Sequence, residues 1–177
     1  MAGKEFRVSC YVLLRNKAGQ VLLLQRPSNP AKVFPGKWEL PGGKGAPGEP
    51  ASGTAIREAL EETGLHVTLE RYVLRLHTVF VHGGRSRPWT SHVFLAGSNG
   101  EPLEPRDHAE VQYAAWIRRR VFWESVAPVL CESGWGRFAY RLHLASLVFA
   151  ELGWEARIPG GTSDGCPGGG EGPASLE

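Results

Sequence analysis

Residues 43–65, GKGAPGEPASGTAIREALEETGL, join a stretch rich in glycine and proline to a segment of helix-forming residues. Pro50 stands where proline is tolerated in a helix, in the first turn, and Gly64 is typical of the position just past a helix C-terminus. The pattern therefore predicts a helix from about Pro50 to Thr63. Residues 41–48 hold two prolines and four glycines, and we expect them to form a loop without regular structure.

Three carboxylates recur along this predicted helix. Glu58, Glu61 and Glu62 stand at positions i, i+3 and i+4, so at about 100° per residue they share an arc of about 100° on one side. Ile56 and Leu60 lie on the opposite side. We expect these two apolar residues to be buried against a sheet while the carboxylates face outward together.

An acidic run of this kind is usually only a solvated helix face, and for three glutamates alone that interpretation stays open. However, like charges at i and i+4 cost about 0.2–0.5 kcal/mol, and acids near a helix C-terminus oppose the macrodipole. Gly53 costs roughly 1 kcal/mol more relative to alanine. A hard divalent cation reverses this penalty, because it prefers oxygen ligands and gathers carboxylates that otherwise repel one another. The cluster therefore indicates Mg²⁺ chemistry on phosphates.

The same stretch resembles the Nudix box: Gly43, five residues, Glu49, seven residues, and then Arg57-Glu58-Ala59-Leu60-Glu61-Glu62-Thr63-Gly64-Leu65. A chance match at seven fixed positions is on the order of 10⁻⁹ per window. The resemblance implies an α+β fold, the α-β-α sandwich of that family, with a mixed sheet and a catalytic helix that follows the Gly-rich loop.

The resemblance also implies roles for individual residues. Arg57 would orient a carboxylate and hold its pKa down. The metal site, for Mg²⁺ or alternatively Mn²⁺, would comprise Glu58, Glu61, Glu62, Glu49 and Gly43, with Gly43 and Gly64 supplying backbone shape. The catalytic set would comprise Arg57, Glu58, Glu61 and Glu62.

Residues 37–44, KWELPGGK, further resemble the MutT-type branch of the family. That branch cleaves nucleoside triphosphates, including oxidised guanine nucleotides, to monophosphate and pyrophosphate. Residues 79–83 hold neither the proline nor the tyrosine that marks the ADP-ribose and dinucleoside polyphosphate branches. The substrate within the family stays open, as a nucleoside triphosphate or a related nucleoside diphosphate derivative.

The rest of the chain alternates strand-like and helix-like segments. A Val- and Leu-rich pair, Phe6 to Arg15 and Gln20 to Arg26, predicts a hairpin. Further predicted strands are Trp38 to Leu40, His66 to His82, Trp89 to Ala96 after a loop over Gly83 to Pro88, and Val111 to Ile117. Helix-compatible segments lie near Val121 to Cys131 and Phe138 to Leu152. We expect one Nudix domain over residues 1–158 and a Gly-rich flexible tail over residues 159–177.

The composition of the chain limits the classes of binding partner that we expect. The chain has 177 residues and a formal net charge of +2, without the broad basic field that dominates duplex binding. We therefore expect a small nucleotide-like partner and no duplex nucleic acid. Cys10, Cys131 and Cys166 lie far apart, which favours buried or free thiols over disulfides or a zinc site. Since no run is apolar enough to span a bilayer, we expect a cytoplasmic protein without membrane contact.

Several candidates lie outside the box. Glu110 matches an acid that many family members place on a loop above the metals, where it would bind metal or act as base; a solvated loop acid is the alternative. Arg26 and Lys44 flank the site and are candidate phosphate contacts, or ordinary surface charges. Trp38, Phe80 and Trp89 are candidates for base stacking, although core packing is the more common role. The histidines His77, His82, His92 and His108 lack a ligand spacing.

The mechanism implied is hydrolysis of a diphosphate polarised by Mg²⁺, with in-line attack of water on phosphorus. Glu58 and Glu110 compete for the role of base. One rival is an isopentenyl-diphosphate isomerase-like enzyme, which the intact box and the absence of cysteine from residues 37–65 disfavour. Another is a non-catalytic Nudix domain that senses nucleotides, which would be expected to have lost box glutamates.

Overall fold

The structure is a computed structural model that describes residues 7–28, 36–82, 84–98, 100, 109–132 and 137–153. The predicted tail, and with it Cys166, lies outside the described residues, as does His108. No helix within the described ranges is both long and apolar enough to cross a membrane.

Within the part of the chain that the structure describes, seven strands and a set of helices follow one another in nearly the predicted order. The strands are β1 (Arg7–Arg15), β2 (Val21–Gln25), β3 (Trp38–Glu39), β4 (Gly42–Lys44), β5 (Thr68–His82), β6 (Arg85–Gly97) and β7 (Tyr113–Ile117). The helices are α1 (Ala51–Thr63), α2 (Arg119–Val121), α3 (Ala127–Glu132) and α4 (Arg137–Ala150), with a π-helical segment, Phe122–Val126, between α2 and α3. The predicted hairpin, strands and helices are thus confirmed to within a few residues, apart from the differences given below.

The seven strands form one mixed sheet. Its main path runs β3-β2-β1-β6-β5, while β4 pairs with β1 and β7 pairs with β2. The central pair, β1 and β6, is parallel over nine residues, from Arg7 opposite Trp89 to Arg15 opposite Gly97. All other pairs are antiparallel. Strand β1 is therefore the axis of the sheet, and α1 lies against it.

Each face of the sheet carries its own core, because successive residues of β1 point to opposite sides. On one side, Cys10, Val12 and Leu14 pack with Ala55 and Ala59 of α1. On the other side the core is large and aromatic, and is formed by Tyr11, Leu13, Val21, Leu23, Phe122, Trp123, Val126, Leu144, Val148 and Phe149. Helices thus cover both faces, and the α-β-α sandwich is confirmed.

The loop predicted over residues 41–48 contains a strand, so that part of the prediction is wrong. Gly42 and Gly43 pair with Tyr11 and Cys10 of β1. A Cβ on Gly42, whose φ is 145°, would lie 2.6 Å from the Tyr11 Cα. Glycine therefore permits a backbone approach that any side chain would block, and this approach extends the sheet into the predicted loop.

Strand β6 begins at Arg85, whereas Trp89 was the predicted start. Gly84, at φ 71°, takes the left-handed conformation in the turn between β5 and β6. Pro88 has no N–H to donate to a ladder. It is accommodated because, among the described residues, the pairing of β6 with β1 begins only at the next residue, Trp89.

Helix α1 buries a different face from the one predicted. Ile56 is 41% exposed, whereas Ala55 and Ala59 are fully buried and Glu62 is only 6% exposed. Small residues let the helix approach the sheet closely, and the inward side chain of Glu62 finds a backbone donor there. The predictions that Ile56 is buried and that all three carboxylates face outward are therefore wrong.

Candidate active site

Helix α1 begins after Pro50 and ends at Gly64, whose φ of 69° is the left-handed conformation of a helix C-cap. The Gly64 N–H donates to the Leu60 carbonyl at 2.9 Å. The Thr63 hydroxyl accepts from the N–H of Leu65 at 3.2 Å, which ties the chain leaving the helix to its last turn. These caps fix the helix that carries the glutamates.

Arg57 organises the carboxylates of the loop and the helix. Its guanidinium donates to both oxygens of Glu49, from Nε at 2.9 Å and from Nη2 at 3.0 Å. Nη1 donates to Glu58 at 2.9 Å and to Glu61 at 3.1 Å, and Nη2 also reaches the Lys44 carbonyl at 3.2 Å. A single cation therefore links the β4 loop to three glutamates.

The Arg57 contacts do not affect the glutamates equally. Hydrogen bonds from the Arg57 side chain and from the Ala46 N–H lower the pKa of Glu49 to about 2. The pKa of Glu58 is raised, because burial outweighs the hydrogen bond and the charge of Arg57. Arg57 thus holds Glu49 ionised, whereas burial makes Glu58 easier to protonate although Arg57 contacts it.

Gly43 makes room for Glu58. A Cβ on Gly43 would lie 2.5 Å from the Glu58 Cδ and closer still to one of its carboxylate oxygens. The carboxylate therefore lies directly over the β4 backbone, a position that only glycine permits. This contact gives a physical reason for glycine at the first position of the box.

Glu62 is the most unusual acid of the site. Its Oε2 accepts from the Gly42 N–H at 2.7 Å. Its pKa is raised to about 8, mainly by burial and further by the charges of Glu58 and Glu110, while Gly42 and Arg26 act in the opposite direction. A buried carboxylate among like charges is costly when ionised, so this group gains most from a cation.

Glu110 is brought to the cluster from a distant part of the chain. It lies in an exposed turn before β7. Its charge raises the pKa of both Glu58 and Glu62, which places the carboxylate within electrostatic range of both. The loop candidate and the helix candidates therefore share one region of the molecule.

The two predicted phosphate contacts occupy different environments. Arg26 forms a largely buried ion pair with Glu39, Nη1 to Oε1 at 2.9 Å, with the two side chains 17% and 5% exposed. Lys44 is exposed at the end of β4. Glu39 was not identified from the sequence as a site residue. Its position inside the predicted strand Trp38 to Leu40 was a usable signal, because a buried acid needs a partner.

The other aromatic and histidine candidates contact partners outside the glutamate cluster. Trp38 packs edge-on against Tyr113, and Phe80 against Trp89. His77 pairs with the Thr90 hydroxyl at 2.9 Å, and the Tyr72 hydroxyl pairs with Nδ1 of His92 at 2.7 Å. The side chain of His82 lies outside the described part.

Among the residues that the structure describes, no three His, Cys, Asp or Glu side chains converge into a ready-made metal site. The reason is visible in the geometry, since Glu49, Glu58 and Glu61 are all directed at Arg57. Cys10, buried beneath α1, is a free thiol whose pKa burial raises to about 11. It is therefore an uncharged part of the core.

The comparison with protein families decides the identity. Residues 5–128 match the NUDIX domain model. The chain belongs to the Nudix hydrolase family. The resemblance drawn from the box is thus confirmed, and the helix that carries Glu58, Glu61 and Glu62 is the Nudix-box helix of this chain.

Individual relatives agree with this family. The chain is 33% identical over 115 residues to the 8-oxo-dGDP phosphatase NUDT18 of Homo sapiens, a match to 62% of this chain and 32% of that one. It is 30% identical over 123 residues to an RNA pyrophosphohydrolase of Sphingopyxis alaskensis, which covers 63% and 75% of the two chains. The chain spans about a third of the length of the human relative and of two others.

A solved MutT protein from Methanosarcina mazei Go1 has the same fold. It superposes with a TM-score of 0.57 at 24% identity, covering 82% of this chain and 98% of that one. The expected α+β sandwich and its likeness to MutT proteins are confirmed.

Proposed function

We propose that this chain is a divalent-metal-dependent pyrophosphohydrolase that cleaves a diphosphate bond in a nucleoside triphosphate or a related nucleoside diphosphate derivative. The observation that carries the proposal is the buried Glu62, whose pKa is raised to about 8 beside Glu58 and Glu110. A helix selected only for stability would not keep an ionisable group in that environment. A site that binds a cation gains from it.

The donor set fits a hard cation. Glu58, Glu61, Glu62 and Glu49 offer only oxygen atoms, and Gly43 leaves space beside the Glu58 carboxylate. We assign Mg²⁺ to these residues, with Mn²⁺ as the alternative. When bound, the cation supplies charge stabilisation at the diphosphate oxygens and lowers the pKa of the attacking water.

The residues themselves have separate tasks. Arg57 holds Glu49 in its ionised form and positions Glu58 and Glu61 from one side. Glu58 is the proposed general base, because a raised pKa makes its carboxylate a stronger proton acceptor for water near neutral pH. Glu110, in its exposed turn, is the alternative base.

The substrate class is supported by the relatives and by local charge. The human relative is named for 8-oxo-dGDP and the Sphingopyxis relative for RNA, and both act on phosphorylated nucleotides. We assign Arg26 to the phosphate groups of the substrate, since a cation near the transferring phosphorus neutralises its charge. Lys44 is not assigned there, because it pairs with Ser9 and so lies on the face of the sheet opposite to Glu58. For Arg26, this role requires that its pairing with Glu39 be shared with the substrate.

A hydrolysis screen tests the proposal. Purified protein is incubated with nucleoside triphosphates, oxidised guanine nucleotides, diphosphate sugars, dinucleoside polyphosphates and capped RNA, each with Mg²⁺, with Mn²⁺ or with EDTA, and products are identified. We expect cation-dependent release of pyrophosphate or a phosphorylated product. Isopentenyl diphosphate is included as a control substrate. Its isomerisation without phosphate release, or full turnover in EDTA, would contradict the proposal.

A further inference from the structure

The β5–β6 hairpin segregates the charge of the chain. Residues 71–100 contain no aspartate or glutamate, and their four arginines are Arg71, Arg75, Arg85 and Arg87. This stretch therefore has a formal charge of +4, twice the net charge of the whole chain. The acid of the two strands, Glu70, lies near the end of the hairpin that is far from Arg85 and Arg87. The rest of the hairpin carries positive charge only, which stability explains poorly, because interspersed opposite charges would favour the fold.

An aromatic pair lies on one face of this hairpin. The Phe80 and Trp89 rings are 6.1 Å apart at 84°, and both are only partly buried. The Trp89 indole N–H donates to the Ser9 hydroxyl at 3.0 Å, which fixes the ring against β1. The Arg7 guanidinium lies 5.8 Å from the centre of the Trp89 ring. Arg87, directly opposite Phe80 in the register, is exposed.

Lys44 extends the same surface toward the catalytic loop. It pairs with Ser9 across β4 and β1, and paired residues point to the same face of a sheet. Lys44 therefore belongs to the face of Ser9 and Trp89, whereas Gly43, beneath Glu58, belongs to the other. At a strand spacing of about 4.8 Å, β6 lies about 10 Å from β4. We call the set formed by Arg7, Lys44, Phe80, Arg87 and Trp89 the hairpin platform.

We propose that the hairpin platform binds single-stranded nucleic acid. Bases of any sequence stack on exposed aromatic rings at about 1–3 kcal/mol each, and flanking cations contact the phosphates. The platform supplies both elements, with three cations around two fixed rings. A duplex offers no unpaired base to the rings.

Charge reversal is the first test. The probe is a uridine octamer with a 5′-hydroxyl and a 3′-fluorophore, and binding is followed by fluorescence anisotropy in EDTA, so that no diphosphate chemistry takes part. Wild-type affinity should fall as salt rises, by about 0.7 log units per tenfold salt for each phosphate contact. The double variant Arg7→Glu, Arg87→Glu should bind at least about tenfold more weakly and lose roughly two contacts from this slope.

The matched control is Arg118→Glu. Arg118 is also exposed but follows β7, whose end Ile117 pairs with Val21 at the opposite end of the sheet. Its affinity should equal that of the wild type. The control changes the net charge by half as much as the double variant. A loss in the control of about half that of the double variant, on a logarithmic scale, would therefore show that only total charge matters, and would overturn the proposal. Absence of salt-dependent binding by the wild type would do the same.

A ring test separates stacking from charge. Trp89→Leu and Trp89→Phe both lose the N–H donated to Ser9, but only the leucine variant loses the aromatic ring. We expect the leucine variant to bind at least about fivefold more weakly and the phenylalanine variant to recover most of the affinity. Circular dichroism melts verify that both are folded. Equal affinity of both variants, or tighter binding of duplex or of anionic phosphatidylserine vesicles than of the octamer, would exclude the single-stranded site.

Discussion

The two faces of the sheet are packed with different kinds of residue. Against α4 the core is aromatic, and Phe122 contacts Trp123 at 4.8 Å and Phe149 at 4.5 Å between ring centres. On the other face, α1 contributes the small side chains of Ala55 and Ala59 to the core, and the buried carboxylate of Glu62 lies beside them. One face contributes apolar area, whereas the other brings backbone and carboxylates close together. The difference indicates that stability and chemistry are assigned to opposite sides of one sheet.

The largest effect is expected on the aromatic face. Phe149→Ala should lower the free energy of unfolding by about 3–5 kcal/mol, because it removes a fully buried ring and leaves a cavity. The KM of the molecules that remain folded should not change. Denaturant unfolding with parallel kinetics measures both. Leu147→Ala, on the same helix but 39% exposed, is the control and should cost under about 1 kcal/mol.

On the α1 face the expected effect is on turnover. Glu61→Gln and Glu62→Gln should each reduce kcat at least about 100-fold, about 2.7 kcal/mol, because each weakens the hold on the cation. Both should melt no lower than the wild type in EDTA, since they remove like-charge repulsion. Glu151→Gln, at an exposed ion pair with Arg71, is the matched control. Wild-type rates in both variants would mean that the glutamate cluster is only a solvated helix face. Unfolding of the variants would mean that its role is structural.

The pH dependence of stability should reveal Glu62 directly. Its folded pKa, about 8, lies above the ordinary value of 4.5, so the unfolded chain releases this proton first as pH rises. Without metal, the contribution of Glu62 to the free energy of unfolding should therefore be highest below about pH 4.5. It should fall by at least about 2 kcal/mol toward pH 8. Glu62→Gln should flatten the curve. Urea melts in EDTA at several pH values measure it.

The pKa of Glu49 is lowered to about 2, so its contribution has the opposite sign. It is present above about pH 4.5 and is lost only as pH falls toward 2. The windows of Glu49 and Glu62 do not overlap. Because the pKa of Glu58 is also raised and acts with the same sign as that of Glu62, the difference between the wild type and Glu62→Gln between pH 5 and 8 isolates Glu62. A wild-type curve that rises across that range would contradict the assignment.

Glu110→Gln should reduce turnover by more than tenfold if this carboxylate is the base or a metal ligand, a change of about 1.4 kcal/mol. The pH–rate profile separates the two roles, because loss of the base removes the acidic limb. Unchanged kinetics would return Glu110 to the class of surface acids and leave Glu58 as the base.

The smallest effects concern two glycines of α1. Gly53→Ala should stabilise the fold by about 0.5–1 kcal/mol, because a Cβ there meets Pro50 at an ordinary 3.6 Å. Gly64→Ala should destabilise it by about 1–2 kcal/mol, because Gly64 has φ 69°. Thermal melts compare the pair. Equal shifts would mean that the C-cap is unimportant.

The sequence was sufficient for the elements whose signal is local. The bounds of α1 followed from Pro50 and Gly64, and the spacing of Glu58, Glu61 and Glu62 pointed to the correct family. The strand at Gly42 was not predictable from local pattern, because its pairing depends on Tyr11, which is distant in sequence. Local propensity argues against a strand there, and tertiary contact overrides it.

A helical wheel also could not predict which residues of the site are buried. The wheel placed Glu62 with the solvent and Ile56 with the core, and the structure reverses both. What decides the orientation is the N–H of Gly42, a partner that only the folded sheet supplies. The ion pair of Arg26 with Glu39 depends in the same way on neighbouring strands.

The parallel pairing of β1 with β6 bears on how the chain folds during synthesis. Arg7 pairs with Trp89 and Arg15 with Gly97, so the central ladder joins segments about eighty residues apart. Such high contact order slows folding, since the entropy of closing the intervening loop is lost before the ladder forms. A nascent chain cannot complete this central ladder until residue 97 has left the ribosome. Until then, the apolar strand β1 depends on its hairpin with β2, and on chaperones, for protection from aggregation.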